Sequence, residues 1–482
     1  MGKNMGFLRR QFLLTSPNLQ HMNVKYFHSA VSLKIIMKKY PQIITTALAL
    51  AQGLQAASFV VSPGQSIQSA INNATAGDNI TIQTGNYNEN LTIPKGLDVR
   101  GASGAVLVTG NLTITSVTLP IYISDISFGK SGASGITVTG SSNVRFDRCK
   151  LVGGGGFTST NSTIYCYKGQ FDQNISFANS TWTLQRSTIA GTVSSTNSTA
   201  KFISSNVTSN FSHNGGELTV FQSDLRELCD VALTSAQKSW ICYNTLRYMQ
   251  ISGGTNEVVG NLIDIRGITG VYDASTERYI INILGGAVTR IANNRIFNDG
   301  RNSNSTYNNW AYYGAHAIRV ETSAGMTRIF NNTIRNVWRG ILVAGSPAGV
   351  EIRGNIHRDV TNSSNNYSVA TGYAGTIISN NNFQYTITGG VQSNNINSDA
   401  LFGTNDVLGA ASPSRNAGPT DAIFNDIDGT RNDLGAYGGH SYDPDGRTTL
   451  KPVVLSGEVS PLYVKRGGAV TVKARAAVSA AP

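Results

Sequence analysis

The sequence predicts an all-β chain wound as a parallel β-helix, a solenoid of stacked coils with a short N-terminal capping helix. The pattern apolar-x-apolar-x-x-(Asn/Ser)-x-apolar recurs from residue 144 to residue 396. Its polar column reads Cys149, Gly169, Ser187, Ser205, Ser223, Asn244, Asn261, Asn294, Asn332, Asn355, Asn381 and Asn394, and from Gly169 to Ser223 each step is 18 residues. Flanking pairs such as Val144/Phe146, Trp182/Leu184, Leu218/Val220, Thr289/Ile291 and Val350/Ile352 alternate as strands do. One such coil cannot bury its apolar face alone, whereas stacked coils set like residues above like at about 4.8 Å, where side-chain amides can bond along the axis. The inside is filled with Ile, Val, Leu and Phe, so function belongs on the outside.

The elements follow in chain order. Met37-Lys38-Lys39, the apolar run Ile43 to Leu54 and the small residues Ala56-Ala57-Ser58 have the three parts of a secretory signal peptide, assigned to 37–57. Residues 1–36 then read as an upstream start-site extension, the alternative being a long leader. Ser66 to Ala74 sets Ile67, Ala70, Ile71 and Ala74 at helical spacing, a short helix covering the open end of the stack. Gly77-Asp78 turns the chain into the alternating pairs Ile80/Ile82, Leu91/Ile93 and Leu97/Val99. The β-helix spans 58–446. Beyond Asn261 its steps lengthen to 33, 38, 23 and 26 residues, which places insertions at 262–288, 297–315 and 358–374. A solenoid's insertions gather on its binding face. Residues 412–446 lose the period and are expected to form a turn-rich C-terminal cap. Their run Asp426-Ile427-Asp428-Gly429 has the start of a calcium loop, but Tyr437 stands where a bidentate Glu is needed. Residues 447–482 read as a linker and a truncated β-sandwich-like stub, since Val453 to Ala477 alternates like two strands and then stops.

The formal charge is +11, but seven bases and no acid lie in 1–58 and a net +4 lies in 451–482, which leaves 59–450 neutral. That removes the field a nucleic acid would need. No stretch reaches the roughly 20 apolar residues of a membrane helix. Four cysteines, Cys149, Cys166, Cys229 and Cys242, suit an oxidising compartment and match no zinc spacing. They read as buried thiols, with a Cys229–Cys242 bridge left open. Sequons such as Asn161-Ser162-Thr163 and Asn179-Ser180-Thr181 are expected from composition alone.

The opening Gly64-Gln65-Ser66-Ile67-Gln68-Ser69-Ala70-Ile71 with Gly77-Asp78 and Gly85-Asn86-Tyr87, the Asn-column coils, and the closing Asp428-Gly429-Thr430-Arg431-Asn432-Asp433-Leu434-Gly435-Ala436-Tyr437 resemble secreted right-handed parallel β-helix proteins of the pectin-lyase-like superfamily. The resemblance covers roughly 59–440. It implies a right-handed coil, an exported or cell-surface protein and an extracellular polysaccharide as partner, but no single activity, because that superfamily holds lyases, hydrolases, esterases, epimerases and non-catalytic surface proteins. The paired-Asp and Gly-His-Gly set of polygalacturonases, the Trp-x-Asp-His of pectate lyases and the Lys-Ser pattern of alginate and chondroitin lyases are absent.

In the insertion region Tyr279-x-Ile281-x-Ile283, His316-x-Ile318-x-Val320 and Arg339-x-Ile341-x-Val343 align, which sets Tyr279, His316 and Arg339 in one column at the strand's mouth with Arg319 pointing outward beside them. Residues 262–360 hold eleven Arg, seven acids and no Lys. A cation that neutralises a uronate carboxylate and a base that takes the C5 proton are what β-elimination needs, and Arg offers the planar fork. Trp310, Tyr312 and Tyr313 offer flat faces for sugar rings. The sequence therefore favours an exported, monomeric protein that binds an extracellular uronate-containing polysaccharide with lyase-type chemistry at Tyr279, His316, Arg319 and Arg339. Two alternatives stay open: a non-catalytic surface or matrix protein, and a hydrolase with a carboxylate pair from Asp264, Asp273, Glu277 and Asp299. No metal or cofactor is expected, with calcium left open.

Overall fold

The computed structural model describes residues 56–102, 105–129, 135–265, 278–298, 315–337, 339–359, 367–440, 446–447, 449–460 and 471–478. Strands dominate, and all pair in parallel except the last two. The coil that supplies Thr181–Gln185 shows how each turn is built. That strand belongs to a first sheet of sixteen strands. Thr188–Ile189 and Val193–Thr196 follow on two faces, called here the second and third sheets, of one 26-stranded sheet that is continuous through Asp224–Ala232 and Thr245–Ser252, before the chain re-enters the first at Thr199–Ile203. The register Trp182↔Ala200, Thr188↔Asn206 and Val193↔Phe211 realises the 18-residue step in all three sheets.

Alternation decides which residues face inward. Trp182, Leu184, Ile189 and Val193 are all buried, and the Trp182 ring stacks on Phe177 with centroids 4.6 Å apart. The indole N–H donates to Ser195 Oγ at 3.0 Å, which also lies 3.1 Å from Nδ1 of the buried His213.

The corner between the first and second sheets combines two positions. Arg186, Ser204, Gln222, Tyr243, Asn293 and Asn331 have φ between 49° and 60°, a left-handed conformation that non-glycine residues enter only where the surroundings enforce it. The next residue is the buried ladder. Asn261 Nδ2 donates to Asn294 Oδ1 at 2.9 Å, and that oxygen also accepts the Asn261 backbone N–H at 3.0 Å. Asn294, Asn332 and Asn355 repeat the arrangement. Farther toward the N-terminus serine hydroxyls take the role, Ser205 Oγ accepting from Ser187 N at 2.9 Å. At the last step Asn394 is the left-handed residue (φ 53°), and Asn395 instead receives Asn381 Nδ2 at 2.9 Å. The expected column is thus corrected by one residue there, because in each Asn-Asn pair the first residue turns the corner and the second enters the ladder.

A second ladder occupies the corner between the third and first sheets. Ser141, Ser162 and Ser180 each donate a backbone N–H to the hydroxyl of the next serine, ending at Ser198, at 3.0 to 3.2 Å. The left-handed Asn161, Asn179 and Asn197 precede three of them.

At the N-terminal end Ile67–Asn73 forms the helix α1, with Ile67 and Ile71 buried. Glu89 accepts the Ile67 and Gln68 N–H groups at 2.7 and 3.0 Å. Asp78 accepts from Thr75 N and Ala57 N, both at 2.7 Å, and the Thr75 bonds hold its carboxyl below the usual range.

Beyond Asn395 the chain does not simply close the last coil, whose strand Val391–Ser393 stays exposed. It runs back along the outside of the first corner as a strap. Gly435 N donates to Gly354 O (2.7 Å), Asn331 Nδ2 to Asp433 O (2.8 Å), Asn293 Nδ2 to Gly438 O (2.6 Å), and Gln222 Nε2 to Gly446 O (2.8 Å). The left-handed corner residues supply most of these donors, because that conformation turns their amides outward. The buried carboxylate of Asp406 joins Arg295 at 2.5 Å and also Arg335, which in turn reaches Asp359. The Asp426 and Asp428 carboxylates are taken by turn bonds, from Gly439 N and Asp433 N to Asp426 and from Thr430 to Asp428.

Val453–Ser460 and Thr471–Ala477 then pair antiparallel as a hairpin. Its Val453, Leu455 and Ala477 pack with Phe221, Trp240, Cys242 and Val259 on the outer side of the first sheet. All four cysteines are free and buried, which corrects the Cys229–Cys242 bridge left open above: Cys229 pairs in the third sheet and Cys242 in the first. Burial pushes both thiols up to about 12.

Candidate functional site

The insertions all leave the second sheet and return at the start of the third. Their strand ends take up part of the spans assigned from sequence: Leu262–Asp264 and Arg278–Leu284 flank the first, Arg295–Phe297 and Ala315–Val320 the second, and Ile356–Arg358 and Tyr367–Thr371 the third. Tyr279 and Tyr367 therefore stand on strands. Trp310, Tyr312 and Tyr313 lie outside the described residues, as do Asp273, Glu277 and Asp299; Asp264 ends a strand of the second sheet.

The third-sheet register sets Tyr279 beside His316, His316 beside Arg339 and Arg339 beside Tyr367. The column expected from sequence is present and gains Tyr367. His316 shares the parity of Ile318 and Val320, however, and is 1% exposed rather than open at the surface. Its ring lies 5.1 Å from that of Tyr279 and 5.8 Å from that of Tyr367. Arg339 Nη1 stands 3.3 Å from Nε2, and Tyr367 Oη stands 2.6 Å from Nδ1. A guanidinium only donates, so Nε2 accepts, the ring proton sits on Nδ1, and Nδ1–H donates to the Tyr367 hydroxyl.

Arg319 lies on the alternate, outward parity. Its guanidinium carbon is 4.3 Å from the Tyr279 ring centroid, and Nη1 pairs with Glu321 Oε1 at 2.8 Å. Register carries this position along a row Asp230, Gln250, Asn282 and Arg319 on successive coils, which spans roughly 14 Å at the strand spacing. Asp230 is half-buried, and loss of solvent raises its carboxyl above the usual range against a bond from Gln250 Nε2 at 3.4 Å. Asn282 Oδ1 and Arg319 Nε are buried with no hydrogen-bond partner among the described residues. Each row member is the polar centre of an apolar-polar-apolar triplet, Cys229-Asp230-Val231, Met249-Gln250-Ile251, Ile281-Asn282-Ile283 and Ile318-Arg319-Val320. That pattern stands in the sequence one residue out of phase with the inward columns.

The excess of Arg in this region is largely spent on internal pairs. Arg290 meets Glu257 at 2.7 Å, Arg328 and Arg353 share Glu351, and Arg295 and Arg335 hold Asp406. Among the described residues no three His, Cys, Asp or Glu side chains converge on a metal position, and no helix is long and apolar enough to cross a membrane.

No protein-family model and no curated protein matches the chain. Solved structures similar to it include a pectate lyase (12% identity, TM-score 0.27, covering 80% of this chain and 98% of that one). A PL6 family alginate lyase is 12% identical with a TM-score of 0.36, covering 73% of this chain and 55% of that one. The receptor-binding domain of the Siphovirus 9NA tailspike is 12% identical with a TM-score of 0.30, covering 73% and 78%. The fold is a parallel β-helix, shown by the register of the chain's own strands. Within this β-helix the insertion edge of the third sheet gathers the aromatic, cationic and half-buried acidic groups described above.

Proposed function

We propose that this protein is exported, binds a uronate-containing extracellular polysaccharide across the row Asp230–Gln250–Asn282–Arg319 and acts on it by β-elimination at the adjoining Tyr279, His316, Arg339 and Tyr367. The observation that carries the reading is the pair of unpartnered buried atoms, Asn282 Oδ1 and Arg319 Nε, neighbours in one outward row. Five other buried polar atoms among the described residues also lack a partner, but these two are neighbours in one outward row, where a ligand carrying hydroxyls and a carboxylate would complete both.

In this reading the guanidinium of Arg319 faces the C6 carboxylate and eases loss of the C5 proton. The pair left by that proton forms the C4–C5 double bond as the C4–O bond breaks, and the departing oxygen takes a proton. Tyr367 takes the C5 proton on its deprotonated oxygen and then gives that proton to the departing oxygen, so no further proton source is needed. His316 Nδ1–H bonded to its hydroxyl favours the phenolate, and Arg339 fixes the tautomer of the imidazole behind it.

The burial of His316 and the Arg319–Glu321 pair favour a second reading, a non-catalytic binding rod. One screen separates the two. Polyuronates and neutral glycans are incubated with the protein, and absorbance of unsaturated uronate, reducing-end release and binding are read together. Elimination gives absorbance with new reducing ends; a rod gives binding alone. Reducing ends without absorbance would point to hydrolysis, and no binding would reject both proposals.

A further inference from the structure

We infer that the groove between the first sheet and the C-terminal hairpin is a second saccharide-binding site, built for an acidic sugar and separate from the edge of the third sheet. The groove has a volume of about 640 Å³, within the range of small-ligand sites. Its floor is one outward column, Tyr165, Thr183, Lys201 and Thr219 on successive coils, about 14 Å long at the strand spacing. The strand ending in Ala477 forms its wall.

The two ends are fixed. Tyr165 donates its hydroxyl to Gln185 Oε1 at 2.6 Å, and the Arg145 guanidinium lies 4.9 Å from its ring centroid while bonded to Asp147 at 2.9 Å. At the other end Arg475 lies 3.6 Å from the Trp240 ring centroid and is anchored by Glu217 at 2.6 Å and by Thr219. Between them Thr183 is short and bears a hydroxyl beside the Tyr165 ring, while the buried Thr219 hydroxyl is taken by Arg475. Lys201 stands exposed and has no carboxylate partner among the described residues.

The ligand follows from this inventory. An aromatic edge, the Thr183 hydroxyl and one uncompensated cation match a sugar ring with an apolar face, hydroxyls and a carboxylate. A uronate unit of a polysaccharide carries all three. A neutral sugar would leave Lys201 without a counter-charge, and an apolar peptide would offer nothing to Lys201 or the Thr183 hydroxyl.

The test is calorimetric titration of the full chain with a galacturonate trisaccharide, a mannuronate trisaccharide and cellotriose. At least one uronate is expected to bind at a site that survives Arg319→Ala and is weakened roughly tenfold or more by Lys201→Ala or Tyr165→Ala. Lys201→Arg should restore it. Lys201 is exposed, so its variants should melt like the parent. Parent-like uronate affinity in both alanine variants, cellotriose binding as tight as the uronates, or no binding by any of the three would overturn the proposal. Loss of product formation in Arg319→Ala with this site intact would bear only on the third-sheet edge.

Discussion

The carboxamide oxygen of Asn332 accepts two hydrogen bonds from Asn294, one from its side-chain Nδ2 and one from its backbone N–H, both at 3.0 Å. Two donors thus converge on one buried acceptor, and the Asn332 amide passes the same relation on to Asn355. Asn332→Leu or Asn294→Leu should cost roughly 1 to 3 kcal/mol, because the donors left behind have no water to turn to. Urea midpoints equal to the parent's in both variants would show that the ladder contributes nothing.

Acid should weaken the fold well above the carboxylate range. Burial holds His213 and His357 at about 4, against an ordinary value near 6.5. Between those values the unfolded chain binds protons that the folded chain refuses, so stability is complete above about pH 6.5 and falls as pH drops toward 4. Each group contributes up to roughly 3 kcal/mol over that window. Urea midpoints measured at intervals from pH 7 to pH 4 should decline, and the double variant His213→Gln/His357→Gln should decline less steeply. A level parent profile would contradict the neutral buried rings.

If the column of the third sheet is catalytic, Tyr367→Phe should lower turnover by roughly 100-fold to 10,000-fold, the span of a lost general acid or base. His316→Ala should approach the same loss, acting through Tyr367. Arg319→Lys should mainly raise the substrate requirement, since Lys lacks the planar fork. Activity per folded molecule, measured beside melting temperature on one preparation, decides: full turnover in Tyr367→Phe removes this column from the chemistry.

Asp406 should act as the strap's clasp. Asp406→Ala leaves Arg295 and Arg335 without their shared carboxylate, and a loss of roughly 1 to 3 kcal/mol is expected after allowance for their partial exposure. The loss should appear as faster amide exchange at 400–440, with the coils before Asn261 unaffected. Uniform exchange changes along the whole stack would refute a local clasp.

Most of the coil was legible because it repeats. Trp182 and Leu184, Val144 and Phe146, Ile67 and Ile71 all lie inside as their spacing requires. The serine ladder was hidden in plain sight, since Asn161-Ser162-Thr163 and Asn179-Ser180-Thr181 read equally as glycosylation sequons and only the register shows the Asn turning the corner. The slip from Asn394 to Asn395 has the same origin, two identical residues with opposite roles. For the candidate site, alternation gave the column but not the depth of His316, which depends on what packs over the strand's mouth. The strap was illegible for a different reason: Asn331 and Asn432 meet across 101 residues through backbone with no period.

That strap changes how the rod would bear tension. A bare solenoid pulled from its C-terminal end opens one coil at a time, because each coil holds only its neighbours. Here the returning segment is bonded at five corners, Asn380, Gly354, Asn331, Asn293 and Gln222, along a stretch of several coils. A pull along the axis must shear those attachments together before the final coil can peel, as a rope lashed along a mast resists better than one tied at its tip. Assembly runs the other way, since the lashing has no corners to grip until every coil beneath it has formed.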